Sequence, residues 1–131
     1  MIDFELPEPT ILLNRWQRMH WRDRRRHTAG VSWMVRTVVT PPATPLARCR
    51  IHVERYSERL PDWDGLYGGL KPLLDCLVRP TRRNPHGLGL IEDDNPQCIV
   101  SLTAEPAQAP RNRGWTRVQI RPAEGEGEGA E

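Results

Sequence analysis

Two aspartates two positions apart, Asp62 and Asp64, open the stretch of this 131-residue chain with the most chemical content. They stand in residues 61–71, Pro-Asp-Trp-Asp-Gly-Leu-Tyr-Gly-Gly-Leu-Lys, and Glu92-Asp93-Asp94 follows about twenty positions later. On an extended backbone, residues i and i+2 face the same way, so the spacing predicts a paired carboxylate. Two negative charges side by side repel unless a cation holds them. A second acidic cluster nearby would complete an all-oxygen site of the kind Mg²⁺ takes. The chemistry implied is metal-assisted attack on a phosphodiester, where a carboxylate-held ion activates water and carries charge.

Lys71 closes the stretch, and among 19 basic residues it is the one lysine. Either composition left it there by chance, or the position needs a compact ammonium acting as a point charge. Asp75 lies four residues on and shares a face with Lys71 if both are helical. Asp75 then reads either as an ordinary intrahelical ion-pair partner or as part of the chemistry.

The elements that must position these groups follow from periodicity. Ile2, Phe4 and Leu6 alternate with polar residues, a strand stopped by Pro7 and Pro9. Asn14 is the expected cap of a long helix over 15–39, with a break near Gly30. Its second half places Val31, Met34, Val35 and Val38 on a core face. Its first half recurs as Arg15, Arg18, Arg22 and Arg25 or Arg26, one cationic stripe interleaved with Trp16, His20 and Trp21. Such a stripe suits a phosphate backbone, or it is a solvated helix face over buried Trp16 and Met19. His20 and His27 read as polar surface residues. A proline-rich connector, 40–45, leads to Cys49, Ile51 and Val53, a half-buried strand running toward Asp62. The acidic pair is therefore expected at a strand's end. Leu66, Leu70, Leu73, Leu74 and Leu77 have helical spacing, with Pro72 suited to the first helical position and Gly68-Gly69 a flexible approach. Residues 79–89 form a basic loop carrying Arg82 and Arg83. Cys98, Val100 and Leu102 predict a third strand, and Val118 and Ile120 a last one with Trp115 at its start. The expected fold is α+β, a single domain with a small mixed sheet of about four strands packed with two main helices, in the order β-α-β-α-β-β.

Composition bounds the function classes. The apolar fraction is 37% and mean hydropathy is −0.65, so much of the surface is polar. No apolar run approaches the roughly 20 residues that span a bilayer, and the first residues lack the pattern of a signal peptide. Cys49, Cys76 and Cys98 are odd in number and set in apolar segments, as expected of buried free thiols in a reducing cytoplasm. The last nine residues, 123–131, hold four glutamates; without them a net charge of +2 becomes +6 for the body. The expected division is a folded unit over 1–122 and an acidic, unpacked tail over 123–131. A basic body suits a polyanionic partner.

In order along the chain stand Leu13-Asn14-Arg15, Asp62-Trp63-Asp64, Gly68-Gly69-Leu70-Lys71-Pro72-Leu73-Leu74-Asp75-Cys76-Leu77 and Gly89-Leu90-Ile91-Glu92-Asp93-Asp94. With these motifs the chain resembles the RusA family of Holliday-junction resolvases, in the form found in phage and prophage members. The likeness covers most of residues 10–105, and its specificity lies in the succession Asp-x-Asp, Lys-x3-Asp, Asp-Asp. It implies a homodimeric, Mg²⁺-dependent endonuclease, with Mn²⁺ able to substitute, that cuts four-way DNA junctions by paired symmetrical hydrolysis. By position it implies Asp62, Asp64 and Asp94 as metal-binding carboxylates, Lys71 as the active-site lysine, and Asp75 and Asp93 as auxiliary acids. Asn14, Arg15, Arg18, Arg22, Arg25, Arg26, Arg82 and Arg83 are the residues expected on the DNA. Two departures stand out. Gly65 occupies the place where the family carries Asn, and the Gly-Gly pair lengthens the approach to Lys71. The competing readings are a binding module for branched DNA without activity and a small metal nuclease acting on flaps or forks.

Overall fold

The computed structural model describes residues 1–123. The tail expected to begin at 123 lies outside the described residues except for Ala123, which is buried and donates its N–H to the Arg48 carbonyl at 3.0 Å. Ala123 therefore belongs to the folded unit.

Four strands and two pairs of helices alternate as the periodicities predict. The strands are β1 (Ile2–Leu6), β2 (Cys49–Ser57), β3 (Ile99–Gln108) and β4 (Trp115–Pro122). The helices are α1 (Leu13–Arg18), α2 (Trp21–Val38), α3 (Trp63–Gly68) and α4 (Lys71–Leu77). Each of the two expected helices is broken once. The first breaks at Met19-His20, not near Gly30, because the His20 ring accepts the Arg22 N–H and starts a new helix there. Its beginning is capped by Leu12 without a side-chain bond, so Asn14 sits inside α1 and caps nothing. The second breaks at Gly69-Leu70, and Pro72 then falls in the first turn of α4 where its missing N–H costs nothing.

The sheet order is β1-β4-β2-β3, with β4 antiparallel to both neighbours and β2 parallel to β3. One face is apolar: Phe4 and Leu6, Cys49, Ile51 and Val53, and Val118 and Ile120 meet Val31 and Val35 of α2 and the leucines of α3 and α4. Full burial of side chains of this size contributes roughly 1.5–3 kcal/mol each. Val38 was expected on that face but is 48% exposed at the end of α2. The third strand also departs from simple alternation. Cys49 pairs with Ile99 but Arg50 pairs with Ser101, so Val100 is bulged out. The bulge shifts the inward phase from Ile99 to Leu102 and Ala104. Cys98 lies just before the strand, buried, and all three cysteines are free. No described helix is long and apolar enough to cross a membrane.

Across the opposite face, Arg117 of β4 donates twice to Asp3 of β1, at 3.1 and 2.8 Å. These hydrogen bonds, stronger in effect than the opposing desolvation, hold the Asp3 carboxyl below its ordinary value of 3.8. A depressed carboxyl contributes stability above the unfolded value that is lost as pH falls through the folded one. Asp3→Asn is therefore expected to lower the urea midpoint at neutral pH and to flatten its decline below about pH 4. An unchanged acid limb would count against the pair.

Candidate active site

The acidic pair is built into a helix start. β2 ends at Ser57, and Asp62 stands as the N-cap of α3, its Oδ1 accepting the Gly65 N–H at 2.7 Å. Asp64 falls in the first helical turn, where the exposed N–H groups favour a negative charge. The extended pairing expected from the i, i+2 spacing is thus replaced by a cap and a helical residue, which do not share a face. The sign was in the sequence: Asp is a preferred N-cap, and Trp63, Leu66 and Tyr67 have helical spacing. A Cβ at position 65 would sit 2.7 Å from Asp62 Oδ1, so Gly65 leaves the carboxylate the space this cap needs. Asp62→Asn keeps the capping oxygen, whereas Asp62→Ala loses it and is expected to cost about 1 kcal/mol. Urea unfolding of the two variants checks this, and equal stability would remove the capping role.

Lys71 and Asp75 face one another on α4 with Nζ 3.5 Å from Oδ1. Asp75 is partly buried, and desolvation raises its carboxyl above the ordinary value; Lys71 opposes the rise and the nearby Asp94 charge adds to it. That repulsion shows that Asp94 approaches Asp75 across the fold. The reason is the return of the chain along α4: Leu88, Leu90 and Ile91 donate to Cys76 and Leu77 carbonyls, and Glu92 donates to Leu46 at 2.9 Å. Ile91, fully buried, bridges to both Leu46 and Val78. The following turn holds itself: Asp93 accepts from the Asp94 N–H and from Asn95 Nδ2, while Asn95 Oδ1 accepts from the Gln97 and Cys98 N–H groups. Asp93 is therefore consumed in framing the loop, and Glu92 is 3.2 Å from Arg79. Asp94 is the exposed acid this turn presents.

Two open hollows of about 610 Å³ each adjoin these acids. One is bordered by Lys71 and Asp75 with Arg24, Arg25, Arg82 and Arg83. Its basic loop is pinned, since Asn84 Nδ2 donates to the Asp75 carbonyl at 2.7 Å and Ser32 donates to the His86 carbonyl at 2.8 Å. The other is bordered by Asp62 and Gly65 with Asn14, Arg15, Arg18 and His20. The break at Met19-His20 thus divides the expected single cationic stripe. Arg15 and Arg18 flank Asp62, and Arg25 flanks Lys71. Arg22 lies 5.4 Å over the Trp21 ring and Arg26 is 3.9 Å from Asp23; neither borders the two hollows. Arg24, outside the stripe, donates to the Trp16 and Gln17 carbonyls and stacks on Trp16, closing the end of α1. Periodicity missed it because its contact is with the chain beyond a helix break. His27 is half-buried beside Trp16, and desolvation first, then Arg15, lowers its pKa.

The donor set can be tested against a divalent ion. Asp62, Asp64 and Asp94 do not form a group of three with all ligand atoms within 4.8 Å; among the described residues that tightness belongs to His52, Glu54 and Glu105. The expectation of one three-carboxylate nest is therefore not met by this arrangement. What fits is the looser requirement of Mg²⁺, which binds through one or two carboxylates plus water and substrate oxygens. Asp75 and Asp94 are two such oxygen donors whose mutual repulsion a cation would relieve. No protein-family model matches this chain, and no curated protein matches its sequence.

Proposed function

We propose that this chain is a Mg²⁺-dependent endodeoxyribonuclease of the RusA resolvase type, acting on four-way DNA junctions as a cytoplasmic homodimer. The observation that carries the reading is the meeting of Asp75, Asp94 and the single lysine beside a hollow bordered by four arginines. Carboxylates repel DNA, so a place where they gather inside an arginine-rich surface suits a cation and a phosphate together.

In this reading Asp94 and Asp75 hold Mg²⁺ at one side of the scissile phosphate, and Asp62 with Asp64 supplies oxygen donors at the other. The bound ion would lower the pKa of a water and stabilise charge on the phosphate. Lys71 places its ammonium where negative charge develops during attack, and its pairing with Asp75 keeps it there in the resting state. Arg25, Arg82 and Arg83 receive the strand beside Lys71, while Asn14, Arg15 and Arg18 receive it beside Asp62. A second copy would give the paired cuts a two-fold junction needs. Trp33 and Val38, exposed on α2, offer apolar surface for such a contact.

The test compares a synthetic four-way junction with a linear duplex and with flap and fork substrates, with and without Mg²⁺. Paired nicks in the junction that require the metal are expected. Equal cutting of duplex and junction would reject the junction preference, preferential cutting of flaps would reassign the substrate, and inactivity in both Mg²⁺ and Mn²⁺ would reject the enzyme.

A further inference from the structure

The sheet face opposite the core carries a second group of metal-ligating side chains, contributed by strands that none of the chemistry above uses. His52 and Glu54 lie on β2, and in the parallel register His52 stands beside Thr103 and Glu54 beside Glu105 of β3. His52 Nε2 is 3.7 Å from Glu54 Oε2 and 4.0 Å from Glu105 Oε2, with all three ligand atoms within 4.8 Å of one another. These gaps are too long for hydrogen bonds. They lie a few tenths of an ångström above the roughly 3.4 Å separating neighbouring ligands of a tetrahedral zinc ion, whose bonds are about 2.0–2.2 Å.

The atoms behind the group single it out from a chance gathering of acids. His52 Nδ1 is 2.6 Å from Thr103 Oγ1, and the Tyr56 hydroxyl donates to Glu54 Oε1 at 3.0 Å. In both residues a neighbour outside the group engages the atom that points away, leaving Nε2 and Oε2 for the space between them. A metal-ligating histidine characteristically donates its other ring N–H to such a partner, which fixes the tautomer, and ligating carboxylates are likewise held from behind. With Nδ1–H donating to Thr103, Nε2 presents its lone pair to the two carboxylates. Arg117 approaches Glu54 on Oε1, at 3.9 Å, and so balances the oxygen that faces away.

We propose that His52, Glu54 and Glu105 bind one divalent ion of the zinc class, with the fourth position open to water. One imidazole among the ligands favours Zn²⁺ or Co²⁺ over Mg²⁺, which prefers oxygen donors alone. Because two ligands come from β2 and one from the edge strand β3, the ion ties the edge of the sheet to its interior. The folded state alone assembles the three, so occupancy stabilises the fold.

The experiment titrates the full, metal-free chain with Co²⁺ and with Zn²⁺ in the presence of excess Mg²⁺, which occupies oxygen-only sites. Expected are one equivalent of Co²⁺ with the visible absorption of a low-coordinate nitrogen–oxygen site, its displacement by Zn²⁺, and a rise in Tm with either ion. Glu105→Gln and Thr103→Val are expected to weaken Co²⁺ binding by about 10- to 100-fold, and Asp94→Asn to leave it unchanged. Glu105 has a side chain 66% exposed, so its replacement does not put folding at risk. Absence of stoichiometric binding, or equal affinity in Glu105→Gln and the parent, overturns the proposal. Junction cleavage does not enter either outcome, so this site and the nuclease reading stand or fall separately.

Discussion

Asp94→Asn is expected to remove Mg²⁺-dependent junction cleavage, by on the order of 10³-fold or more, while junction binding is kept. A metal's stabilisation of transition-state charge is worth several kcal/mol, and each 1.36 kcal/mol is about a factor of ten. The substitution is clean on structural grounds. The turn carrying Asp94 is framed by Asp93, Asn95 and Cys98, through the Asp94 backbone N–H and not its side chain. Removing one negative charge beside arginines does not weaken attraction for DNA, so a lost cut cannot be a lost complex. A second readout follows from Asp75. Asp94 is one of the causes that hold the Asp75 carboxyl above its ordinary range, after desolvation, so the variant should let Asp75 ionise at lower pH. NMR titration of the carboxyl in the two proteins measures this directly. Cleavage by the variant within tenfold of the parent would remove Asp94 from the chemistry.

Gly69→Ala is the second large effect, and it falls on stability. Gly69 closes α3 with φ −81° and ψ −3°, a conformation alanine adopts freely, so backbone strain is not the reason. Space is. A Cβ there would lie 1.8 Å from the Ile11 carbonyl oxygen and 3.0 Å from that of Gly65, both main-chain atoms that cannot step aside. The segment leading into α1 would have to leave the α3–α4 junction, carrying Asn14 and Arg15 away from Asp62. A loss of about 3 kcal/mol or more is expected, roughly 10 °C in Tm for a domain of this size. Gly68→Ala makes the comparison: its Cβ would meet only the Leu13 side chain, at 2.7–2.9 Å, which can rotate, and about 1 kcal/mol is expected. Gly30→Ala, with nothing within 4 Å on exposed α2, should stabilise by about 0.5–1 kcal/mol. Thermal denaturation of the three variants checks the order, and a Gly69→Ala no worse than Gly68→Ala would refute the close approach.

That glycine pair illustrates how far a one-dimensional reading goes. As a sequence, Gly68-Gly69 looks like slack before Lys71; in the fold it is a point of contact between two main-chain segments. Periodicity has a definite physical content. It reports which side of an element is buried, and so Cys49, Ile51 and Val53, Val118 and Ile120, and the leucines from Leu66 to Leu77 were legible as core. Pro72 in a first helical turn was legible too, because the constraint is local to its own ring.

What periodicity cannot report is the partner on the other side. The insertion of β4 between β1 and β2, and the bulge that releases Val100, depend on pairings between distant strands. Asp62 became a cap because its nearest unpaired N–H, that of Gly65, was a better partner than the acid two residues away. The approach of Asp94 to Asp75 likewise required Ile91 to be buried between Leu46 and Val78. By itself, then, the sequence determined the elements, their inward faces and a supply of carboxylates beside one lysine among arginines. Only the tertiary structure decided which carboxylates meet, because electrostatic repulsion and burial act between neighbours in space, whatever their separation along the chain.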